Sequence, residues 1–403
     1  MDQRQASDII VAGHICLDVI PLIQEKQGGM DALLIPGKLV DVGPALTATG
    51  GAVSNTGLAL HRLGIATKLM GKVGDDLFGQ AIIDALARYG DSLADGMIKS
   101  PGGVSSYSIV INPPNVDRIF LHCTGTNDTF AAAEVNPEAL HGAKIFHFGY
   151  PPLMQLMYEK DGEELQTLLS RVKAQGLTVS LDMARPDPES VAGKADWRLI
   201  LSKALPFVDV FMPSFEEILY MLQRDTFDSL VRSYQTTELV RFADSDLLNS
   251  LSQELLDMGA AIVALKLGEH GLYVRTTADP GRLAAMGFGA PQTAAQADWL
   301  GRELLIPCYE VKVAGTTGAG DCTIAGFLAG LLRGVPIEEV LHAAVAVGAC
   351  NVEKADATSG VPSWEEVRSR MASGWAQKPI AAHFAGWEHD SNTGVYFSGR
   401  NRN

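Results

Sequence analysis

The residues with the clearest capacity for chemistry lie in Gly315-Thr-Thr-Gly-Ala-Gly-Asp321. Gly315, Gly318 and Gly320 leave the backbone open where a side chain would block close approach. The residues after Asp321 place Ile324, Phe327, Leu328, Leu331 and Leu332 on one helical face. A glycine loop that opens a helix collects unpaired N–H groups and the positive end of the helix dipole, and so forms an anion site. An acid at its mouth repels a bound phosphate unless it has a chemical role of its own. One such role is general base, in which Asp321 takes the proton of a hydroxyl while the N–H groups of Thr317, Gly318, Ala319 and Gly320 hold the phosphoryl group under attack. The bland alternative makes Asp321 a helix-start acid that favours the dipole.

The elements around this run must bring other polar groups to it. Tyr309 to Val313 alternates as a strand leading into the loop. Ile9 to Asp18 reads as a buried strand that ends on an acid, with Gly13 allowing close approach. Gly37 to Thr49 alternates and runs into Gly50-Gly51, which opens a helix carrying Asn55 one turn in. Ser105–Asn112 and Arg118–Thr124 form a hairpin around Pro113-Pro-Asn-Val-Asp117. With the region around Val40 the hairpin makes a small sheet outside the main body. From Lys144 onward strands and helices alternate, which argues a parallel sheet covered on both faces. His147 lies between two phenylalanines and reads as a core histidine, while Asp182 and Arg185 at a strand end are open to pairing or to substrate contact. The Gly-, Ala- and Pro-rich stretch from Thr277 to Asp298 reads as an insertion or flexible loop beside the nucleotide side. Ser363-Trp-Glu-Glu366 is a capping box for a last helix.

Several of these segments together are similar to the PfkB, or ribokinase-like, carbohydrate kinases. Gly315 to Asp321 resembles their C-terminal signature Asp-Thr-x-Gly-Ala-Gly-Asp, with Gly315 in place of the first acid. Met70-Gly-Lys-Val-Gly-Asp-Asp-Leu-Phe-Gly79 matches their N-terminal signature, and Ala48 to Gly57 their sugar-binding Gly-Gly…Asn segment. The similarity runs from about Ile9 to Met371. It implies a three-layer α/β/α kinase domain over 1–373, with a mainly parallel central sheet and a small β lid drawn from about 14–20, 37–48 and 104–124. Residues 374–403 would form a C-terminal extension, an ordered arm or a disordered tail.

The resemblance also implies roles. Asp18, Gly50, Gly51, Asn55, Lys72 and Asn127 would face the sugar; for Lys72 a solvated strand-end lysine is the other reading. Lys266, Gly268, Gly271, Thr317 and Asn351 would lie on the ATP side. Pro213-Ser-Phe-Glu-Glu217 resembles the family's Pro-Asn-x-x-Glu motif, so Glu217 would sit near Mg²⁺ largely through water, with Ser214 replacing the Asn. The loop 354–360 would help hold a monovalent cation, which the loss of an acid at Gly315 puts in question.

The expected activity is ATP-dependent phosphorylation of a hydroxyl on a sugar or small polyol. A nucleoside kinase of the same fold and a non-catalytic sugar or nucleotide sensor are the rivals. No Gly-x-x-x-x-Gly-Lys-Ser/Thr occurs, which disfavours a Walker-type ATPase. The net charge of -15 opposes non-specific binding to nucleic acid or an anionic membrane. No stretch is apolar and long enough to span a bilayer, and the five scattered cysteines fit free thiols in a reducing cytoplasm. An exposed lid edge invites a homodimer.

Overall fold

Strands buried on both faces make the centre of the molecule. Ile9–Gly13 (β1), Ile145–Gly149 (β9) and Thr178–Asp182 (β10) are buried at every position, the pattern of parallel strands covered on both sides. The computed structural model describes residues 7–23, 35–90, 92–112, 119–380, 384 and 386–398. The remaining strands are Cys16–Pro21 (β2), Ala45–Gly50 (β3), Thr67–Met70 (β4), Lys72–Gly74 (β5), Ile98–Ser100 (β6), Tyr107–Ile111 (β7) and Ile119–Cys123 (β8). They continue with Val210–Phe211 (β11), Ile262–Lys266 (β12), Leu272–Thr276 (β13), Glu303–Ile306 (β14), Trp387–His389 (β15) and Tyr396–Ser398 (β16).

The main sheet has the order β15-β16-β14-β13-β12-β11-β10-β9-β1-β4. It is parallel from β4 to β12 and antiparallel from β12 to β15. Two apolar cores lie on its two faces, one under the helices around Phe327 and Leu341, the other under those around Leu168 and Leu219. This is the expected three-layer α/β/α architecture. A separate four-stranded sheet, β3-β2-β7-β8, forms the lid. The Pro113–Asp117 turn of its hairpin, with Arg118, lies outside the described residues.

Four readings of the sequence change. Ile9 to Asp18 is two strands, because Gly13 turns the chain at φ 121° and passes it from the main sheet into the lid. A Cβ at Gly13 would come within 2.3 Å of the Gly149 carbonyl, so only glycine lets β1 and β9 end side by side. Strand β3 begins at Ala45 rather than Gly37. Tyr309 to Val313 is extended without being a ladder strand: β14 ends before Pro307, which has no N–H to donate, and Tyr309 makes only a bridge to Gln377.

The fourth change concerns 277–298. It is an ordered cap with a helix at Pro280–Ala284 and a 3-10 turn at Thr293–Trp299, ending on the buried Trp299. The Thr178 hydroxyl donates to the Met286 carbonyl and the Gly289 N–H donates to the Thr178 hydroxyl. The segment therefore covers the amino ends of the parallel strands, at the far end of the sheet from the Asp321 loop. Beneath it the buried Asp209 accepts from Lys173 at 2.6 Å and Arg282 at 2.8 Å. The 374–398 stretch also joins the fold: β16 pairs with β14 and extends the sheet by two strands.

Candidate active site

Ligands in open α/β sheets bind outside the carboxyl ends of the strands, and here those ends supply Gly149, Asp182 and Lys266 from β9, β10 and β12. Helix α1 (Ala52–Arg62) starts beside the end of β1, α2 (Phe215–Leu222) beyond β11, and α3 (Ala319–Arg333) after the glycine loop. Helix α4 (Ile337–Val352) packs along α3.

Asp321 sits in the first turn of α3, 4 % exposed. Three side chains donate to its carboxylate. Asn55 Nδ2 reaches Oδ2 at 3.0 Å and Thr56 Oγ1 reaches Oδ1 at 3.3 Å, both from α1. The Tyr150 hydroxyl donates to both oxygens, at 2.9 and 2.8 Å. Tyr150 follows β9 directly and holds φ 66°, ψ 44°, a left-handed conformation costly for a non-glycine residue and concentrated at functional sites. Burial pushes the Asp321 carboxyl above the usual range, against Lys266 and the three donors. Burial, then Asp321, hold the Tyr150 phenol well above its ordinary value, so it stays a donor.

Lys266 Nζ lies 2.6 Å from Asp182 Oδ1, and both side chains are almost enclosed. Burial lowers the ammonium, but Asp182, Glu217 and Asp321 outweigh it and the pKa rises. The Asp182 carboxyl is likewise raised, first by burial and then by Glu217 and Asp321 against the lysine. Asp182 thus pairs with the ammonium directly, while Glu217 and Asp321 act on it across the cavity; oxygens of this kind suit magnesium.

Two cavities meet at the loop. One, about 400 Å³, is bounded by Tyr150, Asp182, Arg185, Glu217 and Asp321. The other, about 290 Å³, is lined by apolar groups of Tyr309, Val311, Val345, Ala349 and Val352. Lys266, Gly268, Thr316, Ala319 and Gly320 border both. Gly318 caps α3 in the left-handed region at φ 71°, and a Cβ there would meet the Ala357 carbonyl at 2.6 Å. The fit to a nucleotide is good: an apolar slot opens onto a glycine loop at a helix start, with the carboxylates of Asp182, Glu217 and Asp321 on its other side.

The other expected residues fall into two groups. Gly50 faces Asp18 in the lid, where a Cβ would lie 2.5 Å from its carboxylate, and Gly51, at φ 88°, is held against the His14 carbonyl. Glu217 lines the larger cavity, but Oε2 accepts from the Ser214 N–H at 2.7 Å in a capping box, so one carboxylate oxygen serves α2. Gly268 has open space beside it, while Gly271 packs on the Ile306 carbonyl of β14. The Thr317 carbonyl accepts from Asn351.

Three expected contacts go elsewhere. Lys72 is buried and bonds Glu134 at 2.7 Å and the Thr129 carbonyl at 2.8 Å, so it is neither a sugar contact nor a solvated lysine. Asn127 is fully buried and spends its amide on both backbone groups of Ile15, pinning the link between β1 and β2. Asn351 is fully buried and holds the glycine loop rather than bordering the slot, whose α4 wall is Val345, Gly348, Ala349 and Val352. His147 is a core residue, bonded to Ser180 and lowered by burial to about 3.

Residues 7–364 match the model of the pfkB family carbohydrate kinases. The chain belongs to the PfkB family. Within it, a sugar kinase of Archaeoglobus fulgidus is 27% identical over 76% of this chain and 98% of its own length. A 2-dehydro-3-deoxygluconokinase of Bacillus subtilis is 24% identical over 84% of this chain and 90% of its own. The solved fructokinase of Xylella fastidiosa with bound ATP shares the fold with TM-score 0.65 at 20% identity, covering 91% of this chain and 99% of that one. The PfkB chain is therefore a carbohydrate kinase, and ATP with Mg²⁺ is the expected pair of ligands for it. Among the described residues no helix is long and apolar enough to cross a membrane.

Sequence reasoning missed Tyr150 and Thr56, the two PfkB site residues that join Asn55 on Asp321. Thr56 was within reach, since it adjoins Asn55 in the Gly-Gly…Asn segment. Tyr150 carries no motif; its only local signal is Gly149-Tyr-Pro-Pro152 at the end of an apolar strand.

Proposed function

We propose that this carbohydrate kinase transfers the terminal phosphoryl group of ATP to a hydroxyl of a sugar or related small polyol, with Asp321 as general base. The supporting observation is the position of the Asp321 carboxylate: at the mouth of the Gly318–Gly320 loop, held by Asn55, Thr56 and Tyr150. The substrate hydroxyl approaches Asp321 from the lid side, oriented by Asp18, Gly51 and Asn55. The N–H groups of the loop, of which that of Ala319 donates to the Thr316 carbonyl at 3.3 Å, would serve the charge that builds on the phosphoryl oxygens, and Lys266 adds a fixed cation beside the loop. A Mg²⁺ ion near Glu217 and Asp182 supplies charge screening for the phosphates when bound. The lid closes over the sugar side and excludes water from the transfer.

The test is ADP release with Mg²⁺-ATP across hexoses, pentoses, keto-deoxy sugar acids and nucleosides. Turnover of one sugar or sugar acid supports the reading. Turnover of a nucleoside and of no free sugar replaces it with a nucleoside kinase, and ATP binding with silence throughout the panel replaces it with the sensor.

Tyr150 gives a second expected result. Tyr150→Phe removes a donor to an ionised group, worth about 1.5–3 kcal/mol, so kcat/KM should fall about tenfold or more. The phenol is also among the groups that hold the Asp321 carboxyl down. Without it the carboxyl rises further, the base is protonated at higher pH, and the acid limb of the pH–rate profile moves upward. An unmoved limb would show that Tyr150 only fills space.

Gly315 bears on the monovalent cation. A Cβ there would lie 2.9 Å from both Cα and the carbonyl oxygen of Ala355, so the loop 354–360 packs where the family's acid would stand. We expect the same turnover in potassium as in tetramethylammonium salts. Potassium-dependent turnover would mean that backbone carbonyls alone hold the ion.

The outer lid strand β8 exposes Ile119, Phe120 and Leu121, which supports a homodimer formed through the lid; sedimentation equilibrium decides it. Five free cysteines agree with a cytoplasmic enzyme.

A further inference from the structure

His14, Cys16 and His122 are used by nothing described so far, yet they converge. His14 lies in the link between β1 and β2, Cys16 opens β2, and His122 stands on β8 of the lid. Each offers one ligand atom, and the three atoms lie within 4.8 Å of one another. The two Nε2 atoms are 3.3 Å apart. Metal–nitrogen bonds of about 2.0–2.1 Å in a tetrahedron give an edge of roughly 3.3–3.4 Å. The second imidazole nitrogen of His122 bonds Ser108 Oγ at 3.0 Å, which turns its Nε2 toward His14 as a supporting hydrogen bond does in metal sites. His14 is enclosed and its Nδ1 has no hydrogen-bond partner. Cys16 Sγ lies 3.5 Å from Asp18 Oδ1, so a carboxylate stands next to the thiol.

We propose that His14, Cys16 and His122 bind one zinc-class divalent cation, with the fourth position left to solvent. The donor set decides the class: imidazole and thiolate select zinc over magnesium. The site is thus separate from the oxygen-rich cluster of Asp182 and Glu217. Binding releases the Cys16 proton to solvent, since only the thiolate ligates. Because His14 belongs to the main body and His122 to the lid, the ion staples one to the other. The ion also stands beside Asp18, whose carboxylate is 3.5 Å from Cys16 Sγ, so occupancy competes with sugar; that consequence rests on the kinase reading, while metal binding itself does not.

The experiment is calorimetric titration of the full metal-stripped chain with Zn²⁺ in saturating Mg²⁺, repeated with Co²⁺ in the spectrophotometer. One equivalent should bind, and Co²⁺ should show a thiolate charge-transfer band together with tetrahedral d–d bands. His122→Ala, on the exposed face of the lid, should weaken binding at least tenfold with an unchanged far-ultraviolet spectrum. Cys16→Ser should abolish the charge-transfer band, and Cys123→Ser should leave it intact. Absence of binding in Mg²⁺, or equal binding in His122→Ala, overturns the proposal and leaves the histidines as a hydrogen-bonded pair. A band retained in Cys16→Ser overturns the ligand set.

Discussion

Asp321→Asn should lower kcat by about 10²–10⁴-fold, the usual contribution of a general base, with ATP and sugar still bound. Asparagine nearly matches aspartate in shape, so the Asn55 and Thr56 side chains keep a neighbour and α3 keeps its first turn. What is lost is proton affinity. The substrate hydroxyl must then lose its proton to water inside a site the lid has closed. The remaining rate reflects the loop N–H groups and the bound cation, which position and stabilise without taking the proton. Turnover assays and equilibrium binding of ATP and substrate, made on the same preparation, separate the roles. Loss of binding with turnover per bound complex intact would make Asp321 a binding residue and remove the base from the mechanism.

The second large effect is on the folded state. Lys266→Met should destabilise the protein by about 3–5 kcal/mol, the cost of leaving a buried charge without its partner, and should remove activity as well. Lys266 pairs with Asp182 and is the cation nearest in effect to Glu217 and Asp321. The pH dependence has a definite sign. Burial already holds the Asp182 carboxyl above its ordinary range, and the substitution removes the cation opposing that rise. The folded variant then binds more protons than the unfolded chain from the ordinary carboxylate range up to the raised value. Its stability is greatest at acid pH and is lost as pH rises through that window. Urea midpoints at several pH values measure this. The double variant Asp182→Asn with Lys266→Met should recover much of the loss, and a strictly additive pair would show that the two groups do not interact.

Both predictions start from residues of unequal legibility. Asp321 and Asn55 were readable because the glycines that shape their surroundings are local in sequence: Gly318 and Gly320 for the loop, Gly50 and Gly51 for the start of α1. The layered fold was readable for a similar reason, since strands such as Ile9–Gly13 and Ile145–Gly149 are short, mainly apolar runs alternating with helical stretches. Side-chain destinations were not. Lys72 and Asn127 look like exposed polar residues near a signature, and their true partners, Glu134 and the backbone of Ile15, are set by tertiary packing. Tyr150 lies 171 positions from Asp321 and meets it only through the end of β9. The 277–298 segment looked like a loop because glycine, alanine and proline mark irregular backbone; composition does not reveal that irregular backbone can be hydrogen-bonded against the foot of a sheet.

The strands contributed by 387–398 affect the order in which the molecule can be made. Trp375 stacks on Tyr309 at 4.3 Å between ring centroids, Lys378 N–H bonds the Cys308 carbonyl, and β16 completes the outer side of β14. Tyr309 and Lys378 both line the slot beside the glycine loop. A chain emerging from the ribosome folds from its N-terminal side at about 5–20 residues per second. The lid, the parallel strands and even Asp321 are therefore outside before the wall of the slot has its last pieces. During that interval β14 presents an unpaired edge, the kind of surface that recruits other strands. The slot gains its last lining residue, Lys378, only after Asp321 and the glycine loop have been made, so a nascent chain stalled between them presents Asp321 beside an unfinished slot.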